Sequence, residues 1–126
     1  MGLCIATAAG VIALAAQGFT LSWTHSVARQ TWVEEWEVAP GGLRPVEAEI
    51  KGPGAGMELP EGAWRVPGGW RYRVELPLLP QVLLAASGET PDAWRLCTAA
   101  GCHHLGSVPE APIRLWSATD CDRPPA

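Results

Sequence analysis

Apolar and polar residues alternate with a spacing of two along much of this chain, and glycine or proline interrupts the alternation every few residues. The pattern predicts short strands between turns, and therefore an all-β fold. Strands are expected at 3–7 and 11–16, as a hairpin within 19–39 turning near Arg29-Gln30, and at 43–50, 63–66 and 70–75. Further strands are expected at 81–86, 93–98, 102–105 and 112–116, with 123–126 fraying. Thr31-x-x-Glu34 also fits a helix capping box, but its β-branched and aromatic surroundings favour a strand. The expected architecture is a single-domain antiparallel sandwich or partly open barrel over 1–126, with short strands and Gly/Pro-rich turns. Residues 1–18 read either as the first strands or as a poor signal sequence, because the first charge in the chain is Arg29.

The hairpin block raises the first chemical question. Counting by twos, Phe19, Leu21, Trp23 and His25 share one face, and Trp32, Glu34, Trp36 and Val38 share the facing one. An imidazole and a carboxylate on a tryptophan-lined face need partners. The expected arrangement has Glu34 orienting His25 across the hairpin, so that Glu34→Gln destabilises more than Glu35→Gln. As an acid–base pair the two would suit a small hydrolase or isomerase. Ser26 lies on the other face from His25, and no Gly-x-Ser-x-Gly elbow surrounds it.

Composition narrows the class. A net charge of -4, with Lys51 the only lysine among 126 residues, lacks the basic stripe that nucleic acid requires. No apolar run is long enough for a transmembrane helix. Seven tryptophans against one Phe and one Tyr make indole the main aromatic filler.

Four cysteines allow three pairings. Cys97 and Cys102 flank a four-residue turn at opposite hairpin positions, leaving Cys4 and Cys121 to close a long loop. Cys97-x4-Cys102-His103, with His104 beside it, also has the spacing of a variant c-type haem attachment, and these residues also suit zinc. Both readings rank below two disulfides, so no metal and no cofactor is expected. Disulfides imply an oxidising compartment.

The stretch 51–58 holds Gly52, Gly54 and Gly56, enough to aim backbone N–H groups at an anion, but it lacks a phosphate-loop ending. Arg65, Arg71 and Arg73 form a cationic stripe nearby. With His25, the glycine loop and the arginines suggest a site for a small carboxylate.

The block Phe-Thr-Leu-Ser-Trp-Thr-His25-Ser26-Val27, with Glu34-x-Trp36, Gly54-Ala55-Gly56-Met57 and Trp94-Arg-Leu-Cys97, resembles the bacterial DUF1850 family over most of the chain. Members are commonly encoded beside TAXI-type TRAP transporters, which pair a periplasmic solute-binding protein with a membrane permease. The resemblance implies a small non-enzymatic accessory protein of organic-solute uptake. Its partner would be the permease or the TAXI solute-binding protein, and its location the periplasm. The cytoplasm is the alternative if the thiols stay reduced. No catalytic residues come with the family. The binding residues singled out are His25, Ser26, Glu34, Gly54, Gly56, Met57, Arg71 and Arg73.

Overall fold

A computed structural model describes residues 2–25, 30–52, 59–87 and 93–125. The strands run in chain order as β1 Gly2–Thr7, β2 Gly10–Leu14, β3 Gly18–His25, β4 Gln30–Ala39, β5 Gly42–Lys51, β6 Trp64–Val66, β7 Gly69–Arg73, β8 Val82–Ala86, β9 Trp94–Thr98, β10 Gly101–Leu105 and β11 Glu110–Ala118. They form two antiparallel sheets packed as a sandwich rather than a closed barrel. The smaller sheet has the order β2-β1-β11-β8, and the larger β10-β9-β3-β4-β5-β7-β6. Thr31-x-x-Glu34 lies within β4, where β-branched and aromatic neighbours fit the pleat.

The core lies between the sheets. Leu3, Ile5, Leu84, Ile113 and Leu115 from the small sheet meet Phe19, Leu21, Trp36, Leu43 and Leu96 from the large one. Two prolines fall inside interior strands, where the missing N–H would break a ladder. Both sit at register shifts. Pro45 lies where β4 and β5 slip between Glu35 and Trp36, and Pro112 where β11 and β8 slip between Glu110 and Ile113. At the turn into β7, a Cβ on Gly69 would stand 1.9 Å from the Ile50 carbonyl oxygen. Only glycine lets these backbones approach so closely.

Both expected disulfides are formed, Cys4–Cys121 and Cys97–Cys102. The cysteines are thereby spent, and the haem and zinc readings lose their ligands. The tail corrects the expectation of fraying. Cys121 anchors it to β1, and Arg114 donates to the Pro125 carbonyl as well as to Gln81 Oε1. Arg114, Trp116 and Cys4 lie on the face of the small sheet turned away from the core. Trp116 is nevertheless only 1% exposed, and the tail is tied down beside it, at Cys4 directly opposite and at Arg114 two residues earlier.

Candidate functional site

The register of β3 against β4 decides the fate of the expected His25–Glu34 pair. A turn centred on 29–30 would place those residues opposite each other. The strands instead pair His25 with Gln30, Trp23 with Trp32 and Leu21 with Glu34. Along the hairpin, His25 and Glu34 stand four residues apart, roughly 13 Å at the rise of a strand. They are not a cross-strand pair. The observed register sets Phe19 against Trp36, with ring centroids 5.9 Å apart, and Trp23 against Trp32, 6.0 Å apart, both stacked. Aromatic cross-strand pairs of this kind favour one register over its neighbours.

The expected binding set is divided. Glu34 faces the interior side of the large sheet. Arg71 and Arg73 are on the opposite side, since Tyr72, between them, is the residue sharing the Glu34 face. These arginines therefore do not join Glu34 in one site. Ser26, Gly54, Gly56 and Met57, together with the side chain of His25, lie outside the described residues.

Around Glu34 the interior face has a defined composition. Ala48 is directly opposite Glu34 on β5, and Tyr72 is directly opposite Ala48 on β7, so carboxyl and phenol stand on either side of a small alanine. The neighbouring row runs Trp94, Trp23, Trp32, Ile50, Trp70 and Arg65, with the guanidinium carbon 5.4 Å from the Trp70 ring centroid. Ala48 and Ile50 are buried but lie outside the main core cluster. Trp32, Glu34, Trp70 and Tyr72 all keep some of their surface open.

Glu34 makes no ion pair among the described residues. Burial pushes its carboxyl up from the ordinary 4.5, and the Trp36 indole N–H acts against that shift. The indole nonetheless reaches no acceptor at hydrogen-bond geometry, so its influence is that of a nearby dipole. Tyr72 is also pushed up, first by burial and then by the Glu34 charge. A carboxylate in aromatic surroundings, with no ion pair among the described residues, has the chemistry to attract a positive group.

The sign of the Glu34 shift fixes a pH dependence. A carboxyl raised in the folded state holds its proton to higher pH than in the unfolded chain, so folding stability falls as pH rises above about 4.5. Glu34→Gln removes that loss. Its expected effect is a gain of about 0.5–1 kcal/mol at pH 7, the scale of one partly solvated polar group, that disappears by pH 4. Denaturant titrations at the two pH values test this. It reverses the ranking expected from sequence, because Glu35 is the partnered carboxylate.

Arg71 holds the outer face together. Glu35 and Glu47 are directly opposite across β4 and β5, a like-charge pairing that destabilises a sheet. The Arg71 guanidinium lies 2.5 Å from each of these carboxylates and 3.7 Å from Glu49. Its hydrogen bonds to Glu47, then to Glu35, raise its pKa further above the ordinary range. Arg71→Met keeps the stem but strands Glu35 and Glu47, leaving Glu49 only Lys51, and should cost about 2 kcal/mol at low ionic strength. Added salt should shrink that loss. A cost unchanged by salt would mean that stem packing, not charge, is responsible.

Two cavities open where β3 meets β9. One, about 210 Å³, is lined by Trp23, Ala85, Ser87, Ala93 and Trp94, and the Trp94 indole N–H donates to the Ala85 carbonyl at 3.0 Å. The other, about 250 Å³, lies on the outer face and includes Ser22, Thr24, Thr31, Arg95 and His104. Ala93 borders both. It is buried with φ +53°, a conformation costly for a residue with a Cβ. Arg95, His104, Tyr72 and the threonines are not among the binding residues expected from sequence. A signal for the first two exists, since a Cys97–Cys102 bridge already fixes Arg95 opposite His104.

Among comparisons with known proteins, a family model described as Domain of unknown function (DUF1850) matches residues 19–105. No curated protein and no solved structure matches the chain.

Proposed function

The chain belongs to the DUF1850 family, and from that premise we propose a non-enzymatic, periplasmic binding module of organic-solute uptake. It associates with the permease or the solute-binding protein of a TAXI-type TRAP transporter. The observation that carries this reading is the partly open interior face around Glu34. There a carboxylate with no ion pair among the described residues sits between Trp32 and Tyr72 at the edge of the main core. Aromatic residues presented with one charge of defined sign are what protein partners use as anchors. The matching feature on the partner is a lysine or arginine side chain entering beside Glu34.

Two disulfides are compatible with an extracytoplasmic location. Among the described residues no helix is long and apolar enough to cross a membrane. The acid–base reading of His25 with Glu34 loses support from the register, which sets them apart.

Co-purification tests the association. Tagged protein should capture the permease or the binding protein from membranes holding all three, and Glu34→Lys should abolish capture while the fold persists. Absence of capture, under conditions in which the permease retains its own binding protein, overturns the proposal.

A further inference from the structure

The outer face of the large sheet is divided by charge. On β4, β5 and β7 every acid of the Glu35, Glu47 and Glu49 group lies within ion-pair distance of Arg71. On β3, β9 and β10 the same face carries Arg95 and His104 directly opposite each other, and neither makes an ion pair among the described residues. Ser22 lies directly opposite Arg95 on the other side, so that imidazole, guanidinium and hydroxyl stand in one row. The nearest acid in that row is Glu49, beyond Ser22 and Val33. It is already engaged by Arg71 and Lys51.

The next row supplies Thr24 opposite Thr31, with their hydroxyls 3.2 Å apart. One hydroxyl donates to the other, so one of the two protons is left to point elsewhere. The Ser22 hydroxyl has only a long contact, 3.5 Å, to the Arg95 carbonyl. These groups line the outer cavity of about 250 Å³, which has room for a small organic acid. Its floor is fixed from two sides. The Cys97–Cys102 bridge locks the β9–β10 register two residues from Arg95 and His104, and the buried Ala93 closes the end of β9.

We propose that this cavity is a binding site for a small oxyanion, held by Arg95 and His104 with hydroxyl donors from Ser22 and the Thr24–Thr31 pair. A guanidinium presents two parallel N–H donors to a planar carboxylate or to phosphate oxygens, and the flanking hydroxyls complete the acceptor shell. A free carboxylate and a free phosphate share this chemistry. The site is on the opposite face from Glu34, so it stands or falls independently of the transporter association.

The test is a titration of isotope-labelled protein with sodium succinate and, separately, sodium phosphate, each against sodium chloride at matched ionic strength. Saturable shifts of the Ser22, Thr31 and Arg95 amides with either oxyanion support the site, and the better of the two identifies the ligand class. Arg95→Gln should weaken the affinity about tenfold or more, as expected for loss of a charge-assisted bidentate contact, with amide positions outside the cavity unmoved. His104→Gln should weaken it less. Arg65→Gln, which removes an equal charge from the other face, should leave it unchanged. Shifts that chloride reproduces, or an Arg95→Gln protein that binds as well as the parent, overturn the proposal.

Discussion

Replacing Cys4 and Cys121 together by alanine is expected to cost about 5 kcal/mol, against about 2 kcal/mol for replacing Cys97 and Cys102, on the chain-entropy model. The difference comes from loop length. The first bridge joins residues 117 apart in sequence, whereas the second joins residues 5 apart. Closing a long loop removes more freedom from the unfolded chain, and a domain of this size has only about 5–15 kcal/mol of net stability. Cys4 is also fully buried on the face of the small sheet turned away from the core, so its loss releases packing as well as a constraint. Urea unfolding of the parent and both double variants, without reductant, gives the comparison. Equal losses would mean that the tail is held chiefly by the Arg114 contacts.

Trp116→Ala is expected to cost about 3–5 kcal/mol in the oxidised protein, the range for truncating a fully buried large aromatic. Trp116 is 1% exposed although it points away from the core shared by the two sheets. The expected cover is the tail, tied down beside it at Cys121 and at the Pro125 carbonyl. That origin makes the loss conditional. In the Cys4/Cys121 alanine background the tail is no longer clamped, Trp116 is already partly released, and the same truncation should cost at least about 1 kcal/mol less, within the usual range for coupled neighbours. A double-mutant cycle measured by denaturant titration reads this directly. Additive losses would show that Trp116 is buried by something other than the clamped tail. Trp116 Nε1 also meets no acceptor, so Trp116→Phe should cost much less than Trp116→Ala.

The residues on the candidate faces show where sequence reasoning carries and where it stops. Alternation in 70–75 alone separates Trp70 and Tyr72 from Arg71 and Arg73, because side chains on a strand point to opposite sides in turn. A single site joining those arginines with Glu34 conflicts with that separation. The His25–Glu34 pairing fails for a different reason. Pairing His25 with Gln30 moves the centre of the hairpin toward the N-terminus by two residues. A shift of two in the turn displaces every cross-strand pair by four. Arg95 and His104 were within reach, since the bridge of Cys97 to Cys102 sets their register.

The sequence by itself indicated the all-β class, most of the strands and the better of three cysteine pairings, because each follows from local rules. Period-two alternation marks a half-buried strand, glycine and proline punctuate it, and four cysteines spaced as here leave few pairings. Only the tertiary structure decided which sheet each strand joins, with β8 crossing to the small sheet and β9 returning to the large one. It alone set Glu34 and Tyr72 on either side of Ala48, gathered three acids on Arg71, and tied the tail down at Cys4 and Arg114. These are contacts between residues far apart in the chain. Their free energy depends on register and burial in the assembled sheets, and no local pattern of apolar and polar residues encodes it.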